Sequence, residues 1–195
     1  MVVVAIVAGG AGVAAGEAIA NRHQEPARTA VAYQPVTAIK DLMENVVDTS
    51  ADDVWNSVQM TVSKAGTEVK EPHTDEEWAT VRRGAITLVE AANLLMIPGR
   101  HMAKPNVKSV TPGIELEPEE MERLVNADRD TWNMRALALQ QKALDVLAAV
   151  EERNTEKLWD LGGELDGACE NCHRQYWYPN EQVPGVPPAP ASAPR

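Results

Sequence analysis

The stretch N-T-E-K-L-W-D-L-G-G-E-L-D-G-A-C-E-N-C-H-R-Q-Y-W-Y-P, residues 154–179, decides the fold of this chain. Asn154 is a favoured helix N-cap, and Pro179 cannot continue a helix and ends it. Between them Leu158, Leu161, Leu165, Cys169, Cys172 and Tyr176 recur at three- and four-residue spacing, which places them on one helix face. The spacing predicts a last helix whose apolar stripe must be buried against other helices.

Three segments upstream have the same character. From about Thr37 to Val47, Ile39, Met43, Val46 and Val47 share a face, and Ser50 is placed to cap a short continuation, ADDVWNSV, carrying Trp55. Residues 61–73, with Gly66 and Pro72, read as a connection, either a small hairpin or a loop. Thr74 and Glu77 form a capping box, and the helix they open presents Trp78, Val81, Ala85, Leu88, Ala92 and Leu95 before Pro98 and Gly99 stop it near Met96. A long loop rich in Pro and Gly, 97–117, follows, and loops of that length commonly cover functional surfaces. Pro118 opens the next helix with Glu119, Glu120 and Glu122 at its start. Its stripe runs through Met121, Leu124, Trp132, Leu137, Leu144, Leu147 and Val150, with a break near 126–130.

Strand-type alternation is weak along the chain, and stretches rich in Ala, Leu, Glu, Lys and Arg favour helix. Four amphipathic helices without paired strands predict an all-α fold, an antiparallel four-helix bundle over residues 37–178. Phe is absent, so Leu, Val, Ala, Met and Trp fill the core, with Trp55, Trp78, Trp132 and Trp159 expected there.

The net charge of -11 argues against nucleic-acid binding, which needs a basic surface. An acidic surface suits docking to partner proteins with basic surfaces. Residues 1–20 are apolar with an A-x-A ending at Ala18 to Ala20, resembling a secretory signal peptide without the usual positive start. Export to the periplasm with cleavage near Ala20 is the expectation. An uncleaved anchor is the alternative, and the only route to membrane contact. Residues 21–36 read as a polar lead-in and 179–195 as a Pro/Ala-rich mobile tail.

The two cysteines sit three apart in Cys169-Glu-Asn-Cys172-His173. This is the C-x-x-C-H pattern of c-type haem attachment. Two thiols on one helical turn can add to the two haem vinyl groups, and His173 then lies under the iron and supplies an imidazole nitrogen. A thioredoxin-like redox pair needs a strand-helix setting that is missing here. A zinc site needs further Cys or His ligands close by, and none flanks the motif. Attachment of haem also agrees with export, since thioether formation in bacteria takes place outside the cytoplasm.

A helical chain of this size, with its single C-x-x-C-H close to the end of the last helix, resembles the cytochrome c-prime family, the class II c-type cytochromes. The likeness covers about 37–178, and AIKDLMENVVDTSADDVW resembles the first helix of low-spin relatives. The resemblance implies a four-helix bundle holding one haem c between its helices, and helix-face homodimers in some members. It also implies Met43 as the distal iron ligand opposite His173. Read without it, Met43 is a methionine on an apolar face, which is ordinarily packing. His101 and Met102, in the long loop, are the rivals.

Gly162, Gly163 and Gly167 weaken the last helix, which close approach of haem or another helix would explain. Arg174 either pairs with a haem propionate or faces solvent. Tyr176, Trp177 and Tyr178 are expected beside the porphyrin. No Ser-His-Asp pattern, phosphate loop or dinucleotide fingerprint is present, so no catalytic role is expected. Electron transfer is the expected function. Its alternatives are a haem protein binding carbon monoxide or nitric oxide at an open or Met-displaceable face, and a subunit relaying electrons within a larger complex.

Overall fold

The computed structural model describes residues 33–181. The expected signal peptide or anchor, most of the lead-in segment and nearly all of the Pro/Ala-rich tail lie outside the described residues. Among those described, the chain is mostly helical with one small two-stranded sheet, and no helix is long and apolar enough to cross a membrane.

The first helical stretch consists of α1 (Ile39–Leu42), a π-helical turn (Met43–Val47) and α2 (Asp48–Trp55) in unbroken succession. A π turn inside an α-helix is rare and tends to occur at functional positions. Here it begins at Met43. Ser50 does not cap a helix: it lies inside α2, buried. Its small side chain is what that tightly packed place admits.

The connection that follows is a hairpin, β1 (Gln59–Ser63) and β2 (Gly66–Lys70), in antiparallel register from Gln59–Lys70 to Ser63–Gly66. This corrects the expectation of no paired strands. Gly66, at φ 131°, takes up the backbone conformation that closes the two-residue turn at Lys64 and Ala65. Every strand residue is exposed, so there is no buried face to leave an apolar-polar alternation in the sequence.

Helix α3 (Asp75–Met96) begins at the expected capping box. Thr74 Oγ1 accepts from the Glu77 amide at 3.2 Å, and Glu77 Oε2 accepts from the Thr74 amide at 2.8 Å. Helix α4 (Pro118–Ala127) and α5 (Arg129–Glu151) are separated at Asp128, inside the expected break. Asp128 caps α5 by accepting from the Thr131 amide at 3.1 Å. Asn154 caps α6 (Thr155–Tyr176) by accepting from the Lys157 amide at 2.9 Å. The end of α3 is tied to the start of α5: Trp132 Nε1 donates to the Leu95 carbonyl at 2.9 Å, and Arg129 to the Met96 carbonyl at 2.9 Å.

Helix α3 packs chiefly on α5, α5 on α6, and α2 on α3. Buried alanines recur on both helices, Ala85, Ala91 and Ala92 on α3 and Ala136, Ala143 and Ala149 on α5. Fully buried Leu88, Val146, Leu158 and Leu165 fill the space around them. Each such side chain contributes about 1.5–3 kcal/mol relative to exposure. The expected stripe through Leu137 and Leu144 is corrected: they are 47 % and 41 % exposed, and the alanines beside them are buried instead. Small side chains let two helices approach closely, so the buried face is the narrow one and not the one with the largest residues. Trp159 is likewise 46 % exposed and is not a core residue.

The tightest crossing is α2 on α3. A Cβ added at Gly84 would lie 2.7 Å from both Asp53 Cβ and the Ser50 carbonyl oxygen, and neither can retreat without moving α2. Gly84→Ala is therefore expected to destabilise the fold by about 1–3 kcal/mol. Gly163→Ala, on an exposed helix surface with nothing within 4 Å, should instead stabilise it by up to about 1 kcal/mol. Urea midpoints with unchanged slopes measure both.

Candidate functional site

The last two turns of α6 carry Cys169, Cys172 and His173 to the wall of one cavity of about 380 Å³. The lining comes mainly from apolar side chains on several elements: Ile39, the π turn and α2 on one side of the sequence, Trp132, Ala136 and Leu139 of α5 on the other. Met43, the first residue of the π turn, belongs to the same wall. Sequence spacing alone places a residue on a face; the fold brings a residue near the start of the chain to the same cavity as three near its end.

The long loop supplies a further part of the wall. Its residues Met102, Val107, Ser109 and Glu115 line the cavity. Backbone bonds anchor it at two points, from Ile39 and Lys40 amides to the His101 and Met102 carbonyls (2.9 Å each) and from the Leu116 amide to the Trp177 carbonyl (2.8 Å). Glu115 organises the turn between them: one carboxylate oxygen accepts from Ser109 Oγ at 3.2 Å and from the Val110 and Thr111 amides at 2.9 and 3.1 Å. Desolvation pushes the Glu115 carboxyl up, but these donors together outweigh it and leave its pKa below the usual value.

The two thiols are free and half-buried, and desolvation pushes Cys169 up to about 11 and Cys172 up to about 12. They are neutral thiols at physiological pH, unlike the low-pKa cysteines of redox-active pairs. Burial also holds His173 below its usual value, against the opposing pull of Glu170, so its imidazole is neutral and keeps a nitrogen lone pair. No cluster of three or more His, Cys, Asp or Glu able to hold a bare metal ion occurs among the described residues.

No family model, curated protein or solved structure matches this chain. What the cavity can accept follows from its own groups. All four residues singled out in the sequence, Cys169, Cys172, His173 and Met43, line it together. Of the rivals to Met43, His101 points elsewhere, with Nδ1 3.1 Å from Glu122, whereas Met102 is buried on the cavity wall and Met121 lines it too. Arg174 pairs with Glu170 at 3.3 Å and is absent from the lining; Lys40, Lys108 and Arg135 are the cations there. Of the three helix glycines only Gly162 has a neighbour, Trp55 at an ordinary 3.6 Å, so close helix approach does not account for the others.

Arg135, Lys108 and Glu115 escaped the sequence reading because a charged residue beside an apolar stripe looks like any solvated surface. Tyr176 borders the cavity, edge-on to Trp132 at 5.2 Å, and its buried hydroxyl has no hydrogen-bond partner among the described residues. A largely apolar group fits these walls, and charged substituents on it would meet Arg135, Lys40 and Lys108 but also Glu44, Asp48, Asp166 and Glu170. The volume lies in the range typical of cofactor pockets, about 300–1,000 Å³.

Glu115→Ala should loosen the loop without disturbing the helices. Bonds to a charged acceptor contribute about 1.5–3 kcal/mol before discounting for partial exposure. A net loss of about 1–2 kcal/mol would make trypsin cleave after Lys104 or Lys108 roughly tenfold faster at unchanged helical circular dichroism.

Proposed function

We propose that this chain is a periplasmic monohaem c-type cytochrome and that it transfers electrons. In this reading its helices form an antiparallel four-helix bundle around one haem c, attached through thioethers at Cys169 and Cys172. The observation that carries it is the convergence of a C-x-x-C-H turn and a methionine from a distant helix on one largely apolar cavity. When bound, the haem supplies a one-electron iron couple; the protein contributes the surroundings that tune it.

Each residue then has a defined task. The neutral, half-buried thiols of Cys169 and Cys172 are the groups available to form the thioethers. His173 offers a neutral imidazole as proximal ligand. Met43 is assigned as distal ligand, and thioether coordination raises the reduction potential, which suits a carrier. Arg135 can compensate carboxylate charge at the cavity wall, whereas Lys40 and Lys108 already pair with Glu44 and with Glu117 and Glu119. The loop held by Glu115 and Leu116 supplies part of the cavity wall, and the apolar surroundings favour the less charged iron state. Among partners, the acidic chain suits redox proteins with basic docking surfaces, and a homodimer is compatible with exposed apolar positions such as Met134, Leu137 and Leu144 on α5.

The full-length chain, produced with a c-type maturation system, should gain the mass of one haem that survives denaturation. Cys169→Ala with Cys172→Ala should abolish that gain; a chain with no covalent haem would sink the reading. Optical spectra of the ferric and ferrous protein, with and without carbon monoxide, then separate carrier from gas binder. A low-spin ferrous spectrum unmoved by the gas supports electron transfer, and a prompt shift favours gas binding. Met43→Ala should convert the iron to high spin and lower the potential by more than about 59 mV, a tenfold change in the one-electron equilibrium. An unchanged spectrum and potential would remove Met43 from the iron.

A further inference from the structure

The chain leaves α6 in a way that folds Tyr178 back over His173. The Trp177 and Tyr178 amides both donate to the His173 carbonyl, at 2.7 and 3.0 Å. As a result the Tyr178 hydroxyl lies 3.3 Å from His173 Nδ1 and donates to Glu170 Oε1 at 2.5 Å. A phenol has one proton and spare lone pairs. With that proton given to the carboxylate, the Tyr178 oxygen can only accept from the imidazole. The proton of neutral His173 therefore sits on Nδ1, and Nε2 keeps the lone pair.

Glu170 stands 3.8 Å from Nδ1, beyond hydrogen-bond reach, so its charge acts on the ring through the phenol. Arg174 Nε holds the other carboxylate oxygen at 3.3 Å and fixes the orientation of Glu170. Edge contacts from Trp177 at 5.1 Å and Tyr178 at 5.7 Å brace the imidazole plane. The glutamate thus sits at a variable position of the C-x-x-C-H motif, and the tyrosine lies five residues beyond the histidine, so neither is part of the attachment pattern itself.

From this geometry we propose that Tyr178 and Glu170 are positioning residues, forming a His173–Tyr178–Glu170 relay that fixes the imidazole tautomer and biases a haem iron bound at Nε2 toward its ferric state. The relay rests on the haem reading above. Donation from Nδ1 toward a carboxylate raises the electron density of the ring, makes Nε2 a stronger donor, and so stabilises the more highly charged iron.

The test compares the haem-loaded full-length chain with Tyr178→Phe, which keeps the ring contacts and loses the hydroxyl, and Glu170→Gln, which keeps the size and loses the charge. The readouts are covalent haem by mass, helical circular dichroism and the midpoint potential from redox titration. Each variant should shift the ferric/ferrous ratio about tenfold toward ferrous, the size typical of losing an outer-sphere partner, which is a rise of about 59 mV. Because both break one relay, the double variant should move little further than either single one. Haem-loaded, folded variants with unchanged potentials, or with fully additive shifts, would overturn the relay and leave the haem reading standing. A wild-type chain that takes up no haem would overturn both.

Discussion

The packing of α3 on α5 sets the spacing on which the remaining structure depends. Buried alanines on both helices, among them Ala85 and Ala92 on α3 and Ala136 and Ala143 on α5, are small enough to let them lie close. Helix α3 is also brought up to α2 by Gly84, whose missing Cβ leaves room for the Ser50 carbonyl. With those approaches set, α5 divides its inner face between two tasks. Ala143, Val146 and Ala149 close the solid core, while Trp132, Ala136 and Leu139 reach the cavity wall. Removal of water is common to both parts. In the core it supplies stability; in the cavity it keeps two thiols and an imidazole neutral.

The cavity's charged groups are arranged around its edge with a division of labour. Glu115 spends its lone pairs on loop donors and thereby orders a stretch of cavity wall that is bonded to both the first helix and the end of the last. Glu170 spends its on Tyr178 and Arg174, beside His173. Both of these carboxylates are paired, while Asp48 and Asp166 add negative charge to the wall beside Cys169 and His173. Buried polar groups are stable only when paired in this way, and the unpartnered Tyr176 hydroxyl is the exception that borders the cavity.

Much of the helical organisation was legible in the residues because local chemistry dictates it. The Thr74–Glu77 capping box, Pro118 at a helix start, the break at Asp128 and the Asn154 cap all act within a few positions of themselves. The failures have a common origin in packing. Leu137 and Leu144 looked like core because of their size, and alanines took those places because the neighbouring helix is close. Ser50 looked like a cap because of its hydroxyl, and it serves as a small residue under α3. The sequence over 61–73 does not distinguish the hairpin found at 59–70 from a loop, because a fully exposed ribbon has no buried face to mark it.

The residues by themselves determined where the helices begin and end and that two thiols and an imidazole share one helical turn, because capping, helical periodicity and motif spacing are short-range. Only the tertiary structure decided that Met43, Met102, Arg135 and the Glu115 loop meet that turn around one cavity. It also decided that Tyr178 comes back to His173 rather than running on into the tail. Those meetings depend on helix separations of single side-chain dimensions and on where the backbone turns after α6. Such distances are set by the summed packing of residues far apart in the chain, and no local pattern encodes them.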